Sequence, residues 1–228
     1  DVRVNTLKTD RNTLLEIFKK ENLTDAKATD YTLNGIRIPR RVPLFGLKAF
    51  QDGFFEVQDE GSQLIAALCN AKPKQMVVDF CAGAGGKSLA LAANMQNKGR
   101  LQAFDINTPK LKELKKRIAR AGVDNLHSRP IESSWDKAVK RIKGQADVVL
   151  VDAPCSGSGT WRRAPDSKWR LTPDAVVELQ GMQMDILKSA SRLVKPGGRL
   201  VYATCSVLPA ENSQQVAAFM DEVKGFKL

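Results

Sequence analysis

The sequence predicts an α/β fold, a mostly parallel sheet with helices on both faces, preceded by a small α/β module. Three observations carry this. Short runs of consecutive apolar residues, Met76-Val77-Val78 and Val148-Val149-Leu150-Val151 among them, alternate with longer stretches of helical periodicity. Strands apolar on both faces belong in a sheet covered on both sides, and alternation with helices makes that sheet parallel. The third observation is a change of rhythm: short elements crowd the first 50 residues and longer ones follow, which places the small module at 1–50 and the main domain at 51–228.

In the module, Val2 and Val4 alternate as in a strand. Leu14, Leu15, Ile17 and Phe18 fall on one helical face, with Asn12 or Thr13 as the cap. Ile36 and Ile38 give a second strand after the Asn34-Gly35 turn signal, and residues 41–53 read as a connecting loop. Further on, helices are expected over 62–69, 87–95, 110–121 and 172–194, with a last one over 212–223. Gly122 closes the third of these, while Thr172 caps the fourth with Pro173 in its first turn. Strands are expected over 76–80, 101–105, 146–152 and 199–204. Ligands of such sheets bind beyond the carboxyl ends of the strands. Those ends carry Asp79 to Lys87, Asp105, Asp152 to Cys155, and Thr204 to Ser206, so three cysteines, three aspartates and a lysine are expected on one rim.

Composition narrows the function classes. The 228 residues have a net charge of +11, and 43 % of them are hydrophobic, enough for an ordinary core. No run of about 18 apolar residues occurs, so no membrane span is expected. The start, Asp1-Val2-Arg3-Val4, has no charged-then-apolar leader and no initiator Met, so an unsecreted piece of a longer protein is expected. Basic residues recur along the chain, in Arg37 to Arg41, Lys110 to Arg120 and Arg162-Arg163, which favours a folded basic face that meets phosphate. Cys69, Cys81, Cys155 and Cys205 include no C-x-x-C pair and no disulfide-like framework. Neither a metal site nor structural disulfides are expected, and a reduced cytoplasmic setting is. His127 is the lone histidine and is read as a surface residue. Met182 and Met184 are read as core or groove lining, and Trp135 as packing.

Three motifs carry chemistry. In Asp79-Phe80-Cys81-Ala82-Gly83-Ala84-Gly85-Gly86-Lys87, glycines between a strand and a helix let backbone approach a ligand. Asp105 at the next strand end can accept both hydroxyls of a ribose. Together they suit a dinucleotide or S-adenosylmethionine; the glycine spacing is not that of a Walker loop. In Asp152-Ala153-Pro154-Cys155-Ser156-Gly157 a carboxylate and a thiol leave a buried strand together. Ala203-Thr204-Cys205-Ser206 puts a second thiol at another strand end.

These motifs resemble the RNA cytosine-5 methyltransferases of the Nop/Sun group, which includes bacterial 16S ribosomal RNA enzymes. The resemblance covers nearly the whole chain. Val2 to Lys8 is similar to the opening of the group's small RNA-recognition-like module, and Glu56 to Leu64 to the segment that introduces its catalytic domain. The first motif departs from the usual C-A-A-P-G-G-K: Gly83 and Ala84 replace Ala and Pro, while Cys81, Gly85, Gly86 and Lys87 are kept. The resemblance implies a Rossmann-like class I S-adenosylmethionine-dependent methyltransferase that methylates carbon 5 of a cytosine in RNA. By the same resemblance Cys205 attacks carbon 6, Cys155 assists product release, Asp152 holds the cytosine edge and Lys87 supports that carboxylate or a thiol. Cysteine addition makes carbon 5 nucleophilic enough to take the methyl group. Cys81, Ala82, Gly83, Ala84, Gly85, Gly86 and Lys87 would line the cofactor with Asp105, Lys110, Glu132 and Asp152. Arg162, Arg163, Trp169 and Arg170 would contact RNA by phosphate pairing and base stacking.

The expected partner is ribosomal RNA, with transfer RNA as the alternative, and the expected state is a monomer. Four rivals remain at this point: a DNA-type enzyme using Cys155 as nucleophile, an amino-group methyltransferase, an inactive RNA-binding homologue, and an NAD oxidoreductase. The second thiol weighs against the first, and the Pro154-Cys155 pair against the second. Retention of both cysteines with Lys87 weighs against the third, and no hydride-transfer constellation supports the fourth.

Overall fold

The computed structural model describes residues 1–228. The chain divides into two compact units, Asp1–Pro130 and Ile131–Leu228.

The first unit opens with a four-stranded antiparallel sheet. Its strands are β1 (Val2–Val4), β2 (Lys27–Ala28), β3 (Gly35–Arg37) and β4 (Phe55–Val57), in the order β2-β3-β1-β4. Helix α1 (Arg11–Lys20) buries Leu14 and Phe18, one turn apart on one face, with Val2, Val4, Ile36 and Phe55. Phe18 and Phe55 meet edge to face at 5.3 Å; burying each ring contributes roughly 2–3 kcal/mol. The cap of α1 is Asp10, not Asn12 or Thr13. Its carboxylate accepts both of their backbone N–H groups, because a carboxylate one residue before the first turn reaches two orphan donors at once. Residues 41–53 also depart from the expected loop. They hold a single 3-10 turn, Leu44–Gly46, and a short helix α2 (Lys48–Gln51). Phe50 there lies under the Arg120 guanidinium at 3.8 Å.

Strand β4 was not legible, since its middle residue is a glutamate. Glu56 is buried and pairs with Arg117 at 2.8 Å and Arg120 at 2.5 Å. A buried carboxylate needs such partners to offset its lost hydration. The two arginines sit on α5 (Thr108–Ala121), which Gly122 closes in the left-handed region as expected.

The remaining strands are parallel, in the order β7-β6-β5 in the first unit and β8-β9 in the second. In the first unit these are β5 (Met76–Asp79), β6 (Arg100–Asp105) and β7 (Leu126–Pro130), all parallel. Helices α3 (Glu60–Leu68), α4 (Gly86–Asn94) and α5 alternate with them. β7 escaped the sequence reading because Leu126 is its only large apolar residue; Pro130 ends it, as suits an edge strand. His127 is exposed on it.

In the second unit, β8 (Ala146–Asp152) and β9 (Val194–Ala203) pair in parallel, and α6 (Lys137–Lys140), α7 (Asp166–Arg170), α8 (Pro173–Ser191) and α9 (Ser213–Glu222) accompany them. Helix α8 has Thr172 as its cap but stops at Ser191, short of 194. The Lys195-Pro196-Gly197-Gly198 stretch belongs to β9, where the register shifts between Ala146 and Val148. An irregular pairing absorbs the proline and glycines that otherwise signal a break. Trp135 packs with its indole N–H donating to Asp185 and Arg192 over its ring, in keeping with a structural role. Met182 is half exposed.

Candidate active site

In the first unit, β5 delivers the chain into the glycine-rich turn. Asp79 is buried and accepts the Ser88 hydroxyl at 2.6 Å, tying the strand to α4. The Ala82 N–H donates to the Phe104 carbonyl at 2.9 Å, and the Gly83 N–H to the Asp105 carboxylate at 2.6 Å. The Asn107 N–H takes the other oxygen of Asp105 at 2.7 Å. The turn and the end of β6 are thus one hydrogen-bonded piece. Gly85 caps α4 at φ +82°, and a Cβ there would lie 2.1 Å from the Leu114 side chain. Only glycine satisfies both conditions. Arg117, besides its pairing with Glu56, donates to the Ala84 carbonyl at 2.7 Å. The first unit therefore brings the 81–87 turn together with Asp105. Lys87 is half-buried in the first turn of α4, and Lys110 is exposed in the first turn of α5.

In the second unit, parallel register sets the chemistry. Asp152 pairs with Ala203, so two chains leave neighbouring strands at the same level. Each reaches a cysteine within three residues. The Cys155 and Cys205 sulfurs lie 3.2 Å apart, and the Cys205 backbone N–H points at the Cys155 sulfur from 3.3 Å. Gly159 allows this approach: its N–H donates to the Cys205 carbonyl at 2.9 Å, and a Cβ on it would stand 2.9 Å from that oxygen. The pair cannot ionise twice at such a distance. A hydrogen bond from Cys205, opposed by partial burial, lowers the Cys155 thiol to about 7, while the same contact and burial push the Cys205 thiol up. The charge of Asp152 adds to the rise at Cys205. Two thiols sharing one proton make a nucleophile and a proton acceptor in one place.

Several residues of this site were missed by the sequence reading. Glu211 is fully buried; its carboxylate accepts the Ser156 N–H at 2.8 Å, the Ser156 hydroxyl, and the Gln183 side-chain amide at 2.9 Å. Ser206 contacts the hydroxyls of both Ser156 and Ser158. The available signal was weak, a carboxylate in Pro209-Ala210-Glu211-Asn212 between a strand end and a helix.

Arg162, Arg163, Trp169 and Arg170 are all exposed, with Trp169 at 82 %. Lys168 joins them, its ammonium 5.8 Å from the Trp161 ring and 5.5 Å from that of Trp169. Glu132 is exposed, and its N–H donates to Asp136.

Parallel strands alternating with helices, with a glycine-rich turn after one strand, suit a methyltransferase-type fold, and solved structures share it. A methyltransferase homologue from Pyrococcus horikoshii superposes with a TM-score of 0.84 at 32 % identity, over 96 % of this chain and 68 % of that one. The structure of PH0851 gives 0.93 at 36 % identity, over 100 % of this chain and 51 % of its own. The fold is shared as well with NSun6 from Pyrococcus horikoshii, solved with SFG, at a TM-score of 0.86 and 22 % identity over 97 % and 79 % of the two chains.

Residues 66–228 match the family described as 16S rRNA methyltransferase RsmB/F, and the chain belongs to that family of S-adenosylmethionine-dependent methyltransferases. The probable ribosomal RNA small subunit methyltransferase B of Bacillus subtilis is 36 % identical over 99 % of this chain and 50 % of its own length. Its counterpart from Proteus mirabilis is 34 % identical over 98 % and 52 %. The chain spans about half the length of the curated relatives it matches.

Proposed function

We propose that this chain transfers a methyl group from S-adenosylmethionine to carbon 5 of a cytosine in RNA, with Cys205 adding to carbon 6 and Cys155 assisting release. The observation that carries the reading is the 3.2 Å contact between two cysteines at neighbouring strand ends. The relatives' names favour small-subunit ribosomal RNA over transfer RNA as the substrate, and hence action in the cytoplasm.

The residues present suit the cofactor. A Cβ at Gly83 would meet nothing within 4 Å, so the turn has open space beside it. Asp105 spends one lone pair of each oxygen on Gly83 and Asn107, and a carboxylate has further lone pairs for ribose hydroxyls. Residues 81–87 would hold the cofactor with Asp105, and the resemblance adds Lys110, Glu132 and Asp152. The cofactor supplies an electrophilic methyl group.

The protein's own groups do the rest. The Cys205 thiol loses its proton to solvent, and its sulfur bonds to carbon 6. That addition makes the ring an enamine whose carbon 5 takes the methyl group. The Cys155 thiolate, directly or through a water, then takes the carbon 5 proton while the carbon 6–sulfur bond breaks, restoring the ring and the Cys205 thiolate. Asp152 accepts from the cytosine amino group, and Lys87 supplies positive charge to the site. The 1–50 module, with Arg162, Arg163, Trp169 and Arg170, receives the RNA. Reaching the cytosine requires it to be unstacked.

One observation favours a second reading, in which Cys155 attacks: its thiol is the one lowered to about 7. Covalent trapping separates the two. Unmodified RNA and S-adenosylmethionine are incubated with wild type, Cys155→Ala, Cys205→Ala and the double variant. The proposal expects a denaturation-resistant adduct that accumulates in Cys155→Ala and disappears when Cys205 is removed as well. An adduct that requires Cys155 reverses the roles, and methyl transfer with neither thiol sinks the mechanism.

A further inference from the structure

The mechanism uses two sulfurs but does not account for the buried carboxylate behind them. Glu211 is fully buried, and its partners are a backbone amide, hydroxyls and a side-chain amide rather than a cation. Burial works against its charge, yet hydrogen bonds from Ser156, Ser206 and Gln183 hold the carboxyl below the usual carboxylate range. Burying an ion this way is expensive, and neutral partners of the same shape would fill the space at less cost. What the side chain supplies here is a set of hydrogen bonds to separate segments, not a partner for a cation.

The connections show which segments meet there. Gln183 of α8 donates both to Glu211 and to the Pro154 carbonyl, each at 2.9 Å. Ser156, one residue after Cys155, gives the carboxylate its N–H and its hydroxyl. Ser206, one residue after Cys205, contacts Ser156 at 3.2 Å and Ser158 at 3.0 Å, and Ser158 accepts the Val207 N–H at 2.9 Å. The Glu211 carbonyl accepts the Tyr202 hydroxyl of β9 at 2.8 Å. Asn212 completes the turn by donating to the Ser206 and Leu208 carbonyls and accepting the Thr204 hydroxyl. Both cysteine-bearing turns are fastened to one carboxylate.

We propose that Glu211 is a positioning residue for the two-cysteine site, its carboxylate strapping the turn after Cys155, helix α8 and the turn after Cys205 together so that the two sulfurs stay in contact. The proposal rests on the two-cysteine reading above. The strap also places a negative charge near Cys155 that opposes its ionisation, against the Cys205 hydrogen bond that favours it; Asp152 acts on Cys205, and Tyr202 feels the Cys155 charge.

The test compares the full chain with Glu211→Gln, Glu211→Ala and Ser156→Ala. Phenylarsine oxide, which bridges two adjacent thiols with loss of water, reports sulfur proximity without RNA. Iodoacetamide alkylation against pH, read separately at Cys155 and Cys205 by mass spectrometry, reports ionisation. Steady-state methylation gives kcat and KM. Glu211→Gln keeps the shape and most hydrogen bonds; it should bridge the arsenical like wild type, keep kcat within about threefold and move the Cys155 midpoint to lower pH, since the opposing charge is gone. Glu211→Ala should lose bridging and drop kcat about 100-fold at unchanged KM for S-adenosylmethionine, the scale of a reacting group displaced by about 1 Å. Should that variant fail to fold, Ser156→Ala removes one strap alone and should lower kcat about tenfold. A folded Glu211→Ala, or failing it a Ser156→Ala, with wild-type bridging and kcat overturns the proposal. Bridging lost in Glu211→Ala, in a protein whose Cys155→Ala variant forms no Cys205–RNA adduct, supports the strap and refutes the two-cysteine chemistry instead.

Discussion

Two sets of strand ends in this molecule are built in opposite ways. The rim of the first unit is made of backbone: glycines in a turn, amides that converge on Asp105, and a helix start at Gly85. Its connections span 2 to 33 residues of sequence. The rim of the second unit is made of side chains: two thiols, three serines, Gln183 and Glu211, drawn from segments some 28 to 55 residues apart. A backbone cradle suits a ligand recognised by shape and by its hydroxyl and charged groups. A side-chain web suits covalent chemistry, where reacting atoms must be held within fractions of an ångström.

The largest effect should come from breaking the web at its reactive atom. Cys205→Ala should lower methyl transfer by more than about 10³-fold, the scale of losing a nucleophile. Binding of S-adenosylmethionine by calorimetry should stay within about twofold, since the backbone cradle is untouched. Loss of binding alongside activity would erase the division between the two rims.

Next comes the scaffold of the first unit. Glu56→Ala strands Arg117 and Arg120 without their buried partner, and chemical denaturation should show a loss of about 3–5 kcal/mol. Because Arg117 also holds the Ala84 carbonyl, cofactor affinity should fall in the same variant. Unchanged affinity would mean that the glycine turn holds its shape without α5.

Glycine substitutions sharpen the comparison within the cradle. Gly85→Ala combines a left-handed backbone with overlap on Leu114, and should cost about 1–3 kcal/mol of stability. Gly83→Ala faces open space and carries only the backbone strain, about 1 kcal/mol, while obstructing the ligand. Thermal unfolding and calorimetry together should therefore rank the two variants oppositely, stability suffering more at Gly85 and binding more at Gly83. The same ranking in both measurements would refute the account of the turn.

The smallest effect is a pH shift. With its thiol lowered to about 7 by the Cys205 hydrogen bond, Cys155 should alkylate with a midpoint near neutrality. A lowered pKa puts more thiolate at pH 7, so removing the donor in Cys205→Ala should move the midpoint to higher pH. A midpoint that stays in place would show that Cys205 does not donate to Cys155.

By itself the sequence determined the alternation of strands and helices, the glycine turn with Asp105, and the two cysteines at strand ends. Each rests on local rules: apolar runs bury strands, glycines permit left-handed backbone, and a strand's end follows from where its run stops. It misled where local signals conflict with pairing, as at the Pro-Gly-Gly stretch inside β9, where strands carry little apolar content, as at β2, β4 and β7, and at short features such as the α1 cap and the turns of 41–53. Tertiary structure alone decided that Asp152 lies opposite Ala203, which turns two cysteines 50 residues apart into a sulfur pair. It also decided that Glu211 lies behind them. Register between parallel strands depends on the whole packed sheet, and the partners of a buried carboxylate depend on which distant turns that packing brings to it, so neither leaves a pattern along the chain.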